Sequence, residues 1–408
     1  YHMESFYIKG KTISDISSIK NKKVVLFPAG RNTKLLLQYQ QPDNILCVCD
    51  NSSFLQGKTI YDIPVVSPQK LCEEEGEFCI IVTSPQLEHD FTKQLRELNL
   101  LDRCEFIVCN WGTMSPKKFY DPFTFEDKRK NYNKTLIVLA GYKEKLWDIV
   151  FKRIKQFIPN DIDVCVMSSG KYVPELSRIC NNNNWSYLST KTNNLSLIQN
   201  IAIKLHPNAE YIYKLDEDMF ICDGFFDGLM NTYIHVENNS PYRVGIVAPL
   251  IPVNVHGSIR FMEKMNCLGE FEDKFGKAYY DFDTHFGGQT EETIFLWEHT
   301  LPLDETSNKV RNMPYSYFVC PHRFSIGAIL FKRTIWEKMG GFKVVEGTGL
   351  GHDEQDFASF FLTFTNFYSF IIAENVLAGH YSYGKLNNPA LIDDFYDQNK
   401  ELFDIMED

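Results

Sequence analysis

The stretch Tyr211–Asp218, with the sequence YIYKLDED, joins an apolar run typical of a β-strand to three consecutive acids. Side chains two positions apart in an extended segment point the same way, so Asp216 and Asp218 can converge on one cation. Mg²⁺ or Mn²⁺ is usually held by one or two carboxylates, with diphosphate oxygens completing the shell. The stretch therefore predicts a divalent-metal site for a nucleotide diphosphate. An acidic turn after a buried strand is the alternative interpretation.

Composition and charge limit the classes of protein to consider. The chain has 408 residues, enough for about two or three domains. Its hydrophobic share of 44% and charged share of 23% are ordinary for a folded protein. A net charge of −11 argues against nucleic acid or an anionic membrane surface as a bulk electrostatic partner. The longest uncharged run, 357–373, is too short and too polar for a transmembrane segment.

The cysteines indicate the redox environment. The chain contains 11 of them, scattered without metal-ligand spacing, and it opens without a secretory signal. An odd count with no regular framework indicates reduced thiols. We therefore expect a cytoplasmic protein, with the inner face of the plasma membrane as a further option for its location.

Residues 22–110 alternate strand-like runs with helical stretches, the pattern of a parallel sheet with crossover helices. The strand-like runs are Lys23–Phe27, Ile45–Asp50, Cys79–Thr83 and Cys104–Val108. The first run, the turn at Gly30 and the acid Asp50 about twenty residues later outline a dinucleotide-binding fingerprint. The other glycines of that fingerprint are missing, and Pro28 stands where the tight turn needs one. We therefore expect a Rossmann-like module without bound NAD.

Three segments of the second half carry candidate functional side chains. The first is the acid cluster 216–218. The second is Gly349–Asp356, a glycine-rich turn leading into a helix whose first-turn acids could also serve as caps. The third is His380, after the strand-like run Phe370–Leu377. A lone histidine there is more often structural than a ligand, but a metal held by Asp216 and Asp218 needs further ligands.

Together with their neighbours, these segments resemble the GT-A glycosyltransferases. The resemblance is to the inverting family-two-like enzymes and to the polypeptide N-acetylgalactosaminyltransferase and galactosyltransferase branches, and it covers 134–385. It rests on these segments in the family's order: Leu139–Tyr142, Asn194–Ala202, Tyr213–Asp218, Phe324–Leu330, Met339–Phe342, His352–Asp356 and His380. In the first half, Val25–Arg31 and Gly57–Val65 resemble the small Rossmann-like domains that precede enzymatic domains in bacterial polysaccharide-synthesis proteins.

The resemblance implies a role for each candidate residue. Asp218 would coordinate the metal, Asp216 would contact the ribose or a metal-bound water, and His380 would complete the metal shell. Glu354 would be the general base that deprotonates the acceptor hydroxyl, with Asp353 beside it. The pair reverses the family's usual Glu-Asp order, so either residue could be the base. The residues expected to bind the nucleotide-sugar are Ala140, Gly141, Tyr142, Lys143, Ser169, Asn194 and Asp216.

We thus predict an α/β protein with an N-terminal Rossmann-like parallel-sheet domain at 1–112 and a linker at 113–133. A GT-A domain would follow at 134–408, with an acceptor-side insertion at about 254–320. Its predicted function is Mn²⁺- or Mg²⁺-dependent, hexosyl-type transfer from a nucleotide-diphosphate sugar to a glycan or lipid-linked acceptor. The resemblance favours inversion at the anomeric carbon and a role in bacterial capsule or surface-polysaccharide synthesis, with peripheral association with a membrane synthesis complex.

Two alternatives stay open. One is a non-catalytic scaffold that binds nucleotide-sugar or glycan within a synthesis complex. The other is a sugar nucleotidyltransferase, although the loop at 140–143 has fewer glycines and basic residues than such enzymes usually carry. The nucleobase also stays open, because Ser168–Gly170 stands where related enzymes often carry an aspartate that contacts the base.

Overall fold

The computed structural model describes residues 6–8, 11–13, 22–39, 44–84, 87–109, 123–280, 288–344, 347–363 and 367–405. Strands and helices alternate along this part of the chain and build two sheets with parallel strands at their centres, which confirms the α/β class. Residues 113–122 of the predicted linker and 281–287 of the predicted insertion lie outside the described residues. Within the ranges given above, no helix is both long enough and apolar enough to cross a membrane.

The first sheet is built by the N-terminal part of the chain. Its strands are β1 (Phe6–Ile8), β2 (Lys11–Ile13), β3 (Lys23–Phe27), β4 (Ile45–Cys49), β5 (Thr59–Ile60), β6 (Ile63–Val66), β7 (Phe78–Val82) and β8 (Cys104–Cys109). They lie in the order β2-β1-β8-β7-β3-β4-β6-β5, and the strands from β8 to β6 run parallel. The crossovers β3 to β4 and β7 to β8 contain α1 (Arg31–Tyr39) and α2 (Glu88–Glu97), as the alternating pattern predicts.

Asp50 follows β4 and ties two loops of the first sheet together. Its Oδ2 accepts a hydrogen bond from the backbone N–H of Ala29 at 2.8 Å, and its Oδ1 accepts one from the backbone N–H of Ser52 at 2.8 Å. A dinucleotide-binding fingerprint would turn this acid to a ribose hydroxyl. Here the carboxylate holds the turn that follows β3.

The second sheet contains the acid stretch near its centre. Its strands are β9 (Phe123–Glu126), β10 (Lys134–Leu139), β11 (Asp163–Ser168), β12 (Ser186–Thr190), β13 (Tyr211–Asp216), β14 (Met219–Ile221), β15 (Arg243–Leu250), β16 (Tyr317–Cys320), β17 (Ala328–Lys332) and β18 (Tyr368–His380). They lie in the order β14-β18-β15-β17-β13-β10-β11-β12-β9, and β16 also pairs with β18. β9 pairs antiparallel with β12, so residues 123–126, inside the predicted linker, belong to this sheet.

The remaining helices accompany the second sheet. They are α3 (Trp147–Phe157), α4 (Pro174–Asn183), α5 (Leu195–Leu205), α6 (Phe225–Asn239), α7 (Val255–Met265), α8 (Leu268–Phe275), α9 (Thr290–Thr300), α10 (Leu303–Arg311), α11 (Arg333–Met339), α12 (His352–Ala358), continued by a π-helical turn at Ser359–Thr363, and α13 (Pro389–Phe403). Within the predicted insertion 254–320, α10 packs against β18 and β16 pairs with β18. The insertion therefore contributes to the core around the second sheet.

The central strands β10 and β13 run parallel, with Leu139 in register with Asp216. Their side chains are almost all buried on both faces, as is typical of strands covered by helices on both sides. The register places the loop after β10 beside the acids that follow β13. Both lie at the carboxyl edge of the sheet.

Arg153 of α3 is fully buried and joins several elements around the second sheet. Its guanidinium donates to both carboxylate oxygens of Asp304 in α10, at 2.8 and 3.0 Å. It also donates to the carbonyl oxygens of Ile221 and Phe403, at 3.0 and 2.9 Å. Burial of the charge is possible because the bidentate carboxylate and the carbonyls replace its hydration.

We expect Arg153→Met to lower the free energy of unfolding by about 3–5 kcal/mol, because it takes the cation away from a mostly buried carboxylate. Urea unfolding followed by circular dichroism measures the change. The matched control is Arg178→Met on α4, where the arginine is exposed and paired with Glu175. Its unfolding midpoint should stay close to that of the wild type. Equal midpoints for the two variants would contradict the role assigned to Arg153.

Candidate active site

The carboxyl ends of β10, β13 and β18 meet at one edge of the second sheet. β18 runs parallel to β15, and β15 and β13 both run antiparallel to β17, so β13 and β18 point the same way. The short strand β14 follows β13 after a turn, runs antiparallel to β18 and pairs Met219 with His380 at the end of β18. This pairing brings His380 to the acid cluster.

Asp218 and His380 form the centre of the candidate site. Asp218 Oδ2 lies 3.1 Å from His380 Nε2 and also accepts a hydrogen bond from the ammonium of Lys143. On the far side of the ring, His380 Nδ1 lies 2.6 Å from Asn254 Oδ1. Burial raises the pKa of Asp218, but His380 and Lys143 outweigh burial and hold this pKa well below its usual range. Asp218 is therefore ionised near neutral pH.

Asp216 turns to a different partner. β13 ends at Asp216, and Asp218 follows in the turn before β14, so the two-residue alternation relates Asp216 to Lys214 and not to Asp218. Lys214 is buried, and its Nζ lies 2.7 Å from Asp216 Oδ1. Asp216 thus contacts Lys214, whereas Asp218 contacts His380, and the assignment of Asp216, Asp218 and His380 to one metal stays a prediction. The described part of the chain contains no group of three His, Cys, Asp or Glu side chains placed to hold a metal.

Asp218 and His380 nevertheless fit a divalent cation whose shell is completed by substrate. Carboxylate oxygen and imidazole nitrogen are ligand types that Mn²⁺ accepts. The contact between His380 Nδ1 and Asn254 orients the ring so that Nε2 points to Asp218. Mg²⁺ commonly takes only one or two protein carboxylates and draws its other ligands from phosphates and water.

Glu217 holds the loop after β10 in place, a role that the sequence pattern does not reveal. Its carboxylate accepts hydrogen bonds from the backbone N–H groups of Gly141 at 2.8 Å and Tyr142 at 2.9 Å. Trp147 Nε1 donates a third, at 2.6 Å. Glu217 is buried, so these donors replace its hydration. The predicted nucleotide-binding segment Ala140–Lys143 is thus fixed to the acid cluster.

The predicted nucleotide-sugar-binding residues differ in their exposure. Two of them, Tyr142 and Lys143, are exposed, and Asp216 is partly exposed. The others are buried: Ala140, Gly141, Ser169 and Asn194. Tyr142 Oη donates to the carbonyl oxygen of Ser169 at 2.7 Å, and Ser169 Oγ accepts from the backbone N–H of Asn194 at 2.7 Å. Asn194 Oδ1 caps α5 by accepting from Leu197 N–H at 2.9 Å. Ser169 and Asn194 therefore shape the edge of the site from inside.

A glycine-rich turn leads into α12 beside the acid cluster. Gly349 and Gly351 have φ angles of 68° and 75°, a region that glycine adopts without a Cβ penalty. Burial lowers the pKa of Lys214, but the carboxylates of Asp216 and of Asp353 in α12 outweigh burial and raise it. Lys214 therefore lies between the acids of β13 and those of α12.

Asp353 and Glu354, the two candidate bases, have different surroundings. Asp353 is buried, and its Oδ2 accepts a hydrogen bond from Gln199 Nε2 at 2.9 Å. Glu354 keeps 20% of its side chain exposed, and its Oε2 accepts hydrogen bonds from Arg323 Nη2 at 2.8 Å and Nε at 3.1 Å. Glu354 is the more accessible carboxylate. Arg323 is a neighbour that the sequence did not indicate, because it lies in a loop distant along the chain.

Asp356 lies further along α12 and contacts Lys343. Its Oδ2 accepts a hydrogen bond from the backbone N–H of Lys343 at 2.6 Å, and Lys343 Nζ lies 3.8 Å from Oδ1. The contacts with Lys343 lower the pKa of Asp356, but burial outweighs them and raises this pKa to about 7. Asp356 therefore titrates near neutral pH.

Comparison with known proteins found no matching family model and no matching curated protein. One similar solved structure is GalNAc-T7 with UDP, GalNAc and Mn²⁺, at 11% identity, a TM-score of 0.38, and coverage of 64% of this chain and 45% of that chain. Another is the mannosyltransferase PcManGT from Pyrobaculum calidifontis in complex with GDP-Man and Mn²⁺. It shows 16% identity, a TM-score of 0.36, and coverage of 65% of this chain and 61% of that chain. This chain thus covers less than two thirds of the length of either structure.

We expect Glu217→Gln to lower the free energy of unfolding by about 1–3 kcal/mol, because the amide cannot accept from all three donors and brings an N–H group of its own. Thermal unfolding followed by circular dichroism measures the effect. Glu144→Gln serves as the matched control, since Glu144 is exposed on the same loop. An unfolding midpoint for Glu217→Gln equal to that of the control would argue against Glu217 as the anchor of the loop.

We expect Asp356→Asn to change how stability depends on pH. Between the ordinary pKa of 3.8 and about 7, the folded protein keeps a proton on Asp356 that the unfolded chain releases. The contribution of Asp356 to wild-type stability therefore falls as the pH rises through this window, and the variant lacks that loss. Relative to the wild type, the variant should become more stable from about pH 4 to about pH 7.

Thermal unfolding midpoints measured across this pH range check the expectation for Asp356. The control is Asp148→Asn, which removes an exposed carboxylate on α3. Its midpoints should follow those of the wild type at every pH. If the Asp356→Asn curve also ran parallel to the wild-type curve, the raised pKa of Asp356 would be refuted.

Proposed function

We propose that the chain is a glycosyltransferase that moves a sugar from a nucleotide-diphosphate donor to an acceptor hydroxyl and uses Mn²⁺ or Mg²⁺. The observation that carries this proposal is the close approach of Asp218 and His380 at the carboxyl edge of the second sheet, near Glu354. Tyr383 links the two parts of the site: its ring lies 6.0 Å from that of His380, and the charge of Glu354 acts on its hydroxyl.

At the donor end, Asp218 and His380 would hold the cation, and Asp216 would bind the ribose or a water through its exposed part. Asp216 keeps 34% of its side chain exposed although Oδ1 is held by Lys214. A divalent metal supplies positive charge that stabilises the departing diphosphate. Tyr142, which is exposed on the loop that Glu217 anchors, would offer a ring surface to the nucleotide.

At the acceptor end, Glu354 would take the proton of the acceptor hydroxyl while that oxygen attacks the anomeric carbon from the face opposite the diphosphate. Its accessibility favours it over Asp353, whose carboxylate is buried against Gln199. Arg323 would hold Glu354 in position until the acceptor arrives. The C–O bond to the diphosphate breaks as the new glycosidic bond forms, so the configuration inverts.

The finer assignments follow the resemblance of the sequence segments to GT-A enzymes. We infer a glycan or lipid-linked acceptor recognised by the segment 254–320, and a setting in bacterial capsule or surface-polysaccharide synthesis. The first sheet, at 1–112, would then be a Rossmann-like accessory domain, and the residues from 134 onward the transferase domain.

A second candidate function is a non-catalytic scaffold that binds nucleotide-sugar or glycan. One observation favours it: each carboxylate with an assigned chemical role already has a cationic partner in the protein. Asp218 pairs with Lys143, Asp216 with Lys214, and Glu354 with Arg323. A scaffold carries out no chemical step, so the neutralisation that these pairs provide is all that its acids would need.

Incubation with Mn²⁺ and a panel of UDP-, GDP-, CDP- and dTDP-sugars should release nucleotide from one donor, and EDTA should stop the release. Asp218→Asn should lower the rate about 100-fold or more, because it removes the charge that holds the cation. The control is Asp223→Asn, which removes an exposed carboxylate a few residues further on and should keep the wild-type rate. No nucleotide release from any donor of the panel, together with no metal-dependent thermal shift for any nucleotide, would rule out the transferase.

Once a donor is known, Glu354→Gln separates a transferase from a scaffold. We expect the variant to lose about 100-fold or more in transfer rate, the usual contribution of a general base. Its affinity for the donor should stay at the wild-type value, because the base acts on the acceptor. Isothermal titration with the donor and a transfer assay measure the two quantities. An unchanged transfer rate would exclude Glu354 as the base.

A further inference from the structure

Lys143 occupies the carboxylate oxygen that would face a metal. Asp218 Oδ2 accepts a hydrogen bond from the Lys143 ammonium, and the same oxygen lies 3.1 Å from His380 Nε2. His380 approaches Oδ2 of Asp218 and not Oδ1, the other oxygen of this carboxylate. A cation bound between Asp218 and His380 would therefore meet the ammonium of Lys143 at close range.

The burial of the two partners shows from which side Lys143 reaches Asp218. The Asp218 side chain is 4% exposed, whereas the Lys143 side chain is 43% exposed. Lys143 therefore approaches from the solvent side, where a donor would enter. Its backbone directly follows Gly141 and Tyr142, whose N–H groups Glu217 holds. The attachment point is thus fixed, while the long side chain keeps room to change its rotamer.

The charges of the site explain why Asp218 holds a lysine. A buried carboxylate is costly unless a cation or several donors compensate it. Lys214, the buried lysine nearby, is paired with Asp216. Lys143 supplies positive charge to Asp218 from the solvent side. Two cations on one oxygen repel each other strongly in a buried site of low dielectric constant. A divalent metal and Lys143 therefore compete for Oδ2 of Asp218.

We propose that Lys143 is an exchangeable counter-ion, which holds Asp218 until a divalent metal binds and then moves to the donor diphosphate. This inference rests on the proposed function and adds a role for one residue. The diphosphate brings anionic oxygens to the metal, and a lysine ammonium is a mobile point charge that suits them. Lys143 thus weakens the binding of the metal alone and strengthens the binding of the metal together with the donor.

The proposal predicts effects of opposite sign, which an ordinary structural ion pair would not produce. Without Lys143, the metal no longer displaces an ammonium, so its binding becomes tighter. The donor diphosphate loses a cationic partner, so its binding becomes weaker. If Lys143 only stabilised the fold around Asp218, its removal would weaken the binding of both.

Isothermal titration of the full chain with Mn²⁺, in the absence of nucleotide, tests the first effect. We expect Lys143→Met and Lys143→Gln to bind Mn²⁺ about fivefold or more tighter than the wild type, the change expected on losing a competing ion pair. Titration with UDP and with GDP at saturating Mn²⁺ tests the second effect. The nucleotide that the wild type binds should bind the variants about fivefold or more weakly.

The matched control is Lys145→Met. Lys145 lies on the same loop with 41% of its side chain exposed, but it pairs with Asp393. Both affinities should match the wild type in this variant, and thermal unfolding midpoints verify that all variants are folded.

The outcomes distinguish the two proposals. If neither wild type nor variants bind Mn²⁺, either alone or together with UDP or GDP, the metal-dependent function is wrong and the inference falls with it. If wild type and variants bind Mn²⁺ only together with a nucleotide, the metal-dependent function stands and the counter-ion role is overturned. If the wild type binds Mn²⁺ and the Lys143 variants bind it equally or less tightly, the metal site stands and the counter-ion role is overturned. Unchanged nucleotide affinity in the Lys143 variants would likewise overturn the proposed movement of the Lys143 ammonium from Asp218 to the diphosphate.

Discussion

The site depends on one electrostatic constraint: three consecutive acids stand at the carboxyl edge of a closely packed sheet, and each must be compensated by protein groups. Asp216 has Lys214, Glu217 has the N–H groups of the loop after β10, and Asp218 has His380 and Lys143. Burying an uncompensated carboxylate costs several kcal/mol. The elements that surround the cluster are therefore held in the arrangement that supplies these partners.

This compensation connects the structure of the site to its chemistry. Glu217 accepts hydrogen bonds from backbone N–H groups and so holds the loop after β10, which the proposed function assigns to the nucleotide. Asp218 is ionised and has a histidine beside it, as the proposed cation site requires. Lys214 lies between the acids of β13 and α12 and keeps two negative groups compatible within one site. The same ion pairs that stabilise the fold thus determine which charges remain for a ligand.

Much of the architecture could be predicted from local patterns. Alternating apolar runs and helical stretches indicated parallel strands with crossover helices, and the positions of β13 and β18 agree with the runs seen in the sequence. His380 was expected at the end of a strand and lies there. Residues 123–126, which the predicted linker includes, form β9 and pair with β12, a contact between distant segments that the local pattern does not indicate.

The sequence by itself determined the α/β class and the segments that carry acids, glycines and the late histidine, because these depend on periodicity and residue type along the chain. Only the tertiary structure decided the partners. The end of β13 at Asp216 turned that side chain to Lys214, and the pairing of β14 with β18 brought His380 to Asp218. Partners such as Asn254, Arg323 and Trp147 lie far away in sequence. Strand register and loop packing bring these groups together, and neither can be read from local pattern.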